Sequence, residues 1–187
     1  MKKIELHGKY GTGKFALVDD EDYELVNQYR WRINAYGYAE TKVKKKSIYM
    51  HRLIMDAKKG KEVDHINHDK LDNQKSNLRI CTRQQNGHNQ RPQKNGSSQY
   101  KGVSYLKTSK KWQAQITHNN EKIYIGVYKT ESQAALAYNA KAKNLFGKFA
   151  LLNEIYCDCE NPNIKKLSSC STLVCSVCRF EAKPAPM

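Results

Sequence analysis

Alternating apolar and polar positions in the middle of the chain predict three β-strands. Residues 100–107 form the first stretch, residues 112–117 (WQAQIT) alternate strictly, and residues 122–125 (KIYI) alternate again. Short polar turns separate the three stretches, and connections of this length join antiparallel neighbours. The pattern therefore predicts a small three-stranded antiparallel sheet.

A helix is predicted directly after this sheet. Residues 130–133 (TESQ) have the form of a capping box, and Gly147 fits the end of the helix. One stripe of the helix carries small and apolar residues, namely Ala134, Tyr138, Ala142 and Leu145. Because alanine lets a helix lie close to a sheet, we expect the sheet to pack on this stripe.

An earlier segment has a different order of elements. Strand-like patterns at 61–66 and 76–81 flank the polar loop 67–75, and residues 82–85 (TRQQ) form a second capping box. The helix that starts there should end before Pro92. This segment is predicted to be a ββα unit at about residues 60–92, so that the chain as a whole is of the α+β class.

Composition divides the chain further. We expect a first domain at 1–92, a linker rich in turn formers at 93–99, the sheet-and-helix domain at 100–153, and a cysteine-rich tail at 154–187. The hydrophobic fraction of 39% over 187 residues is sufficient for small cores.

The charge of the chain indicates a polyanionic partner. The net charge is +15, of which +8 falls within the 61 residues of 93–153. No apolar run is long enough for a membrane span, and the first residues do not form a signal-peptide core. These features predict a protein that associates with nucleic acid and not with a membrane. We expect it to be a monomer in the cytoplasm of a bacterial or phage-infected cell.

The predicted sheet has one apolar face and one polar face. Trp112, Ala114 and Ile116 should pack on the helix, and amides, hydroxyls and amines should face away. Such groups can contact base edges and phosphates, although an ordinary solvent-exposed sheet face would have the same pattern.

Residues 97–153 resemble the Apetala/ethylene-response-factor DNA-binding domain. The resemblance is carried in order by YKGV (100–103), WQAQI (112–116), IGVY (125–128), AALAY (134–138) and ALLN (150–153). It implies that the sheet lies in the major groove of double-stranded DNA. The residues that it would place against bases and phosphates are Lys101, Ser104, Gln113, Gln115, Thr117, Lys122 and Tyr124. Where the plant pattern has arginines and a tryptophan, this sequence has Lys101, Ser104, Lys122 and Tyr124, so we expect a relaxed or different sequence preference.

The ββα segment carries residues suited to phosphodiester hydrolysis. This reaction needs a base for the attacking water and a cation for the charge that develops on the phosphate. Asp64 and Asn86 offer hard oxygen atoms that suit Mg²⁺ or Mn²⁺, and His65 points to the other face of its strand, where it can act as the base. Asn77 would orient either the loop or the imidazole.

These residues resemble the HNH endonuclease family. The matching positions are Asp64 with His65, the central Asn77, and Asn86, where many members have a final histidine. The upstream stretch from about residue 16 to residue 55 resembles the leader that precedes this motif in phage and bacterial relatives. The resemblance implies a homing endonuclease whose ββα unit cuts DNA with the help of a metal ion.

Other residues of the first segment have more than one reading. His51 is expected to be a buried, hydrogen-bonded histidine before a helix rather than a metal ligand. Arg52, Arg79 and Arg83 are candidates for contacts with the DNA backbone. Cys81 is expected to pack as a small apolar residue on its strand.

The tail contains a second possible metal site. Two close pairs of thiols could bind one Zn²⁺, and they are formed by Cys157, Cys159, Cys175 and Cys178. Cys170 is left over, and the alternative is a flexible tail.

Together these patterns predict a metal-dependent DNA endonuclease of the homing type that makes one nick per site. The alternative is a DNA-binding transcriptional regulator without catalytic activity. A structural RNA-binding protein would fit the charge but would leave the metal motif unexplained.

Overall fold

A computed structural model of the chain describes residues 1–92 and 96–155. It confirms the α+β class, with several small sheets and short helices. The chain forms two compact units, Met1–Asn89 and a second that begins at Gln90. Across the described ranges, no helix is long and apolar enough to cross a membrane.

The first unit begins with a five-stranded sheet that the periodicity does not predict. Its elements are β1 (Lys2–His7), β2 (Phe15–Val18), α1 (Tyr23–Asn27), β3 (Trp31–Ile33), β4 (Ala39–Val43), β5 (Lys46–Tyr49) and α2 (Met50–Ile54). The strand order is β2-β1-β3-β4-β5, in which β1 and β3 pair in parallel and the other neighbours are antiparallel. Val18, Trp31 and Met50 are among the fully buried side chains of its core.

The ββα unit follows as predicted. It consists of β6 (Glu62–His65), β7 (Leu78–Cys81) and α3 (Arg83–His88). The strands are antiparallel, and Asp64 lies opposite Arg79. The capping box at Thr82 is confirmed, because the Thr82 hydroxyl accepts from the Gln85 backbone N–H and the Gln85 side chain accepts from the Thr82 N–H.

The described residues of the second unit form a three-stranded antiparallel sheet and one long helix. Its elements are β8 (Val103–Leu106), β9 (Lys111–His118), β10 (Glu121–Tyr128) and α4 (Glu131–Phe146). The order β10-β9-β8 places β9 in the centre. Ala134 and Ala142 are fully buried, which confirms that small residues bring the helix close to the sheet. The predicted capping box at Thr130 is also formed.

A β-bulge changes the alternation of the last strand. The pairing passes from Tyr124 opposite Gln115 to Gly126 opposite Ala114, so that Ile125 is the extra residue. Val127 then lies opposite Gln113, on the polar face of the sheet, and 37% of it is exposed. Simple alternation does not predict this position for a valine.

Candidate active site

Strand β6 holds Asp64 and His65 next to each other on opposite faces. Neighbouring side chains of a strand point in opposite directions, so each of the two has its own set of partners. Both are buried, with 6% of Asp64 and 5% of His65 exposed. The strand therefore places a carboxylate and an imidazole close together but on opposite sides of the backbone.

The Asp64 carboxylate is held by an arginine and an amide. Arg79 donates to Oδ2 of Asp64 from Nε at 2.9 Å and from Nη2 at 2.6 Å. Nδ2 of Asn89 donates to both carboxylate oxygens, at 3.0 and 3.1 Å, and to the backbone carbonyl of His65 at 3.2 Å. The guanidinium balances the buried charge of the carboxylate, as a buried ionised group requires.

The predicted ligand Asn86 contacts a different carboxylate. Its Nδ2 donates to Oε2 of Glu62 at 2.7 Å. Glu62 lies two residues before Asp64 on β6 and therefore on the same face of that strand. The amide that reaches Asp64 belongs to Asn89, one helical turn after Asn86. Sequence reasoning missed Asn89, although a spacing of three residues on a helix places both amides on one face.

The residue types between β6 and α3 are those that bind hard divalent cations. Asn86 contacts the Glu62 carboxylate and Asn89 contacts the Asp64 carboxylate, and carboxylate and amide oxygens are the donors that Mg²⁺ or Mn²⁺ prefers. Both amides turn Nδ2, rather than the oxygen atom, toward these carboxylates. Among residues 1–92 and 96–155, no three His, Cys, Asp or Glu side chains are grouped closely enough to hold a metal ion. An ion at Asp64 would therefore need an amide oxygen or solvent to complete its coordination.

His65 lies in a buried pocket of aromatic and amide groups. Its Nε2 is 3.3 Å from Oδ1 of Asn73, and its ring centroid is 5.8 Å from that of Tyr38 and 5.1 Å from that of His51. Burial lowers the pKa of His65 below its ordinary value, against the opposing effects of the Asn73 hydrogen bond and nearby carboxylates. A neutral imidazole that can accept a proton is therefore favoured near pH 7.

His51 is buried in the same ring cluster. We define this cluster as Tyr38, Tyr49, His51 and His65, whose rings contact one another at centroid distances of 5.1 to 6.3 Å. Burial, together with His65 and Arg52, lowers the pKa of His51 to about 3. The expectation of a buried histidine is confirmed, but the residue lies within α2 rather than before it, and its Nδ1 has no hydrogen-bond partner among the described residues.

Asn77 holds the loop rather than the imidazole. Its Oδ1 accepts from the backbone N–H of Asn67 at 2.9 Å, and its Nδ2 donates to the Asp72 carbonyl at 2.8 Å. The side chain is buried, so these two bonds satisfy groups that water cannot reach. Of the two roles predicted for this amide, the structure therefore shows the one in which it stabilises the 66–77 loop.

Two of the arginines considered for the DNA backbone make contacts inside the unit. Arg79 pairs with Asp64, as described above, and only 13% of its side chain is exposed. Arg52 donates to the backbone carbonyls of Lys61, Ala57 and Lys58 and thereby holds the segment before β6. Both guanidinium groups thus support the local structure around β6.

In the second unit, the predicted DNA-facing residues form cross-strand pairs. Ser104 lies opposite Gln113, Tyr124 opposite Gln115, and Lys122 opposite Thr117. Directly paired residues share a face, so these six side chains form one polar surface on the sheet. Tyr124 is its most exposed aromatic residue, at 62%.

Lys101, the seventh predicted residue, has a different environment. Its backbone N–H donates to Oδ1 of Asn153 and its carbonyl accepts from Nδ2 of the same amide. The residue is half-buried, and this burial lowers the pKa of Lys101 to about 8. Lys101 is therefore less suited than the exposed Lys122 to contact a DNA phosphate at the surface.

Some predicted features lie outside the described residues. These are the four cysteines of the possible zinc site, Cys170, and positions 93–95 of the linker. Cys81 lies within β7 and is buried, as expected for a small apolar residue.

Comparisons with known proteins agree with the geometry of the ββα unit. Residues 49–88 match the HNH endonuclease family. An uncharacterized HNH endonuclease of Acanthamoeba polyphaga mimivirus is 38% identical over 151 residues, which cover 78% of this chain and 78% of that protein. No solved structure gives a significant match. With a relative this similar over most of both chains, and with Asp64 and His65 presented on the ββα unit, the protein belongs to the HNH endonucleases, nucleases that hydrolyse DNA.

Proposed function

We propose that this protein is a metal-dependent DNA endonuclease of the homing type that nicks one strand at each site. His65 acts as the general base, Asp64 and Asn86 hold Mg²⁺ or Mn²⁺, and the second unit binds double-stranded DNA. The protein works as a monomer, in the cytoplasm of a bacterial or phage-infected cell. The mimivirus relative supports the viral part of this setting.

The observation that carries the proposal is the separation of base and carboxylate on β6. His65 is kept neutral by burial and accepts a proton from water, while Asp64 and the amides of Asn86 and Asn89 lie on the other side of the strand. A bound divalent cation would stabilise the negative charge on the phosphate and on the leaving oxygen. Asn77 keeps the loop beside His65 in one conformation, and so its contribution is indirect.

The resemblance to the Apetala/ethylene-response-factor domain supports a DNA-binding role for the second unit. We propose that the polar surface formed by Ser104, Gln113, Gln115, Thr117, Lys122 and Tyr124 enters the major groove. The antiparallel sheet, the helix α4 that packs on it and the charge of +8 over residues 93–153 favour this role. Lys101 would contribute through its half-buried side chain.

A plasmid assay tests the catalytic part of the proposal. Supercoiled DNA incubated with the full chain and Mg²⁺ should become nicked circles, and EDTA should prevent this. His65→Ala should reduce nicking by at least about 100-fold without loss of DNA binding. His7→Ala is the matched control, since it removes an imidazole from the same unit outside the ring cluster.

The alternative, a DNA-binding regulator without catalytic activity, makes the opposite prediction. It requires that the wild-type chain binds duplex DNA but gives no nicks on varied DNA with either metal. Equal nicking by wild type and His65→Ala would instead show that a different group is the base.

A further inference from the structure

Asn73 is a fully buried polar residue that sequence reasoning did not select. It lies in the loop between β6 and β7, and none of its surface is exposed. Its backbone N–H donates to the Leu17 carbonyl on β2 at 2.8 Å, and its Nδ2 donates to the Leu71 carbonyl at 3.1 Å. Its Oδ1 is 3.3 Å from Nε2 of His65. The loop, the large sheet and the candidate base therefore meet at this side chain.

The chemistry of these contacts determines which way the amide faces. The Leu71 carbonyl can only accept a hydrogen bond, so the Asn73 atom that faces it must be the donor Nδ2. Oδ1 is then the atom beside His65, and a carbonyl oxygen also only accepts. A hydrogen bond between the two residues requires that Nε2 of His65 carries the hydrogen.

A neutral imidazole carries one N–H, so a hydrogen on Nε2 leaves the lone pair on Nδ1. We infer that Asn73 selects the Nε2–H tautomer of His65 and so makes Nδ1 the atom that takes the proton from the attacking water. This inference rests on the proposed role of His65 as the base. It makes Asn73 a positioning residue, which acts on the reaction through His65.

The same contact remains favourable after the proton has moved. The water proton passes to Nδ1, the water oxygen bonds to phosphorus, and the P–O bond to the leaving oxygen breaks with its electron pair, which takes a proton from solvent. The imidazolium formed in this step still donates from Nε2 to Oδ1 of Asn73, now as a stronger, charge-assisted hydrogen bond. Asn73 thus stabilises the charge that develops on His65.

The position of the amide is set by the large sheet. The Leu17 backbone N–H donates to the Leu71 carbonyl at 2.8 Å. Together with the bond from the Asn73 N–H to the Leu17 carbonyl, this attaches the loop segment 71–73 to β2 at both of its ends. A parallel bridge pairs Leu17 with Asp72. Because β2 holds the loop in this way, the Asn73 amide cannot rotate without loss of buried hydrogen bonds. This gives the upstream sheet a defined role in the active site.

Nitrogen-15 NMR of the uniformly labelled full chain without metal tests the inference directly. The side-chain nitrogens of His65, assigned by their loss in His65→Gln, should show a protonated Nε2 and an unprotonated Nδ1 at neutral pH. This measurement needs no change at Asn73. A wild-type His65 with its hydrogen on Nδ1 would overturn the inference.

Two variants extend the test to the reaction. Asn73→Leu removes the acceptor at similar volume, and we expect a shift toward the Nδ1–H tautomer with a fall in kcat of at least about tenfold at unchanged KM. Asn73→Asp keeps an acceptor for Nε2 and should retain the wild-type tautomer. An unchanged kcat in Asn73→Leu, with the spectrum of a folded protein, would refute the positioning role.

The proposed function can fail separately. If His65→Ala nicks DNA as well as the wild type does, His65 is not the base, whatever its tautomer. If His65→Ala is inactive but wild-type His65 carries its hydrogen on Nδ1, the function stands and the role of Asn73 falls.

Discussion

Removal of the His51 imidazole should make the first unit less sensitive to acid. Burial lowers the pKa of His51 to about 3, from an ordinary value of 6.5 in an unfolded chain. Between these two values the unfolded chain binds a proton that the folded chain excludes. Stability attributed to His51 is therefore complete above pH 6.5 and is lost as the pH falls toward 3.

The size of the effect follows from the same pKa shift. One pKa unit corresponds to about 1.4 kcal/mol, so the wild-type free energy of unfolding should fall by about 2 kcal/mol from this source between pH 7 and pH 5. His51→Gln replaces the imidazole with a neutral amide and should lack this part of the pH dependence. The neighbouring His65 titrates in both proteins and contributes to both curves.

Urea denaturation of the wild type and of His51→Gln at several pH values between 5 and 7.5 measures the difference. As the pH falls from 7 to 5, the unfolding free energy of the wild type should decrease by about 2 kcal/mol more than that of His51→Gln. His7→Gln is the control, because His7 is not a member of the ring cluster, and its curve should follow that of the wild type. Parallel curves for His51→Gln and the wild type would show that His51 is solvated or paired in the folded chain, and the reasoning from its burial would be wrong.

Three further predictions concern the second unit, and Gly60 of the first unit serves as a control for one of them. Gly102→Ala should destabilise the protein by about 2–3 kcal/mol in urea denaturation, because its φ is +73° and a Cβ there would overlap the Tyr138 ring. Gly60→Ala, with φ +86° and open space around it, should cost about 1 kcal/mol, and an equal cost for both would exclude the overlap as the cause. Lys122→Ala should reduce the slope of log binding constant against log salt by about 0.9, and an unchanged slope would mean that Lys122 contacts no phosphate. Glutamine pairs with adenine, so Gln115→Ala should weaken binding to A·T-containing duplexes by about 1–3 kcal/mol more than binding to G·C duplexes in a titration. Equal losses would argue against a base contact by Gln115.

Local signals were sufficient for the ββα unit and for the second unit. Capping boxes at Thr82 and Thr130 mark helix starts through contacts within four residues, and both are present in the structure. Strict alternation over 112–117 predicted which side of β9 is polar, because the period of a strand is two. These features depend on neighbouring residues, which a linear sequence displays.

The partners within the candidate site depended on contacts between distant residues. Asp64 was recognised from its motif, but its ion pair with Arg79 spans 15 residues and its amide partner Asn89 is 25 residues away. The distance between the Asn86 amide and Glu62 likewise follows from how α3 packs on β6. A motif identifies the type of chemistry, and it contains no information on which of two nearby amides reaches a carboxylate.

The charge of the chain indicated a polyanionic partner, and the resemblance of Asp64, His65, Asn77 and Asn86 to the HNH motif indicated a nuclease, because both are properties of the linear sequence. The five-stranded sheet, the ring cluster around His51 and the position of Asn73 beside His65 arose only when remote segments came together. Strands of three to six residues carry too little periodicity to be recognised singly, and the pKa of a buried histidine depends on groups that only folding brings around it.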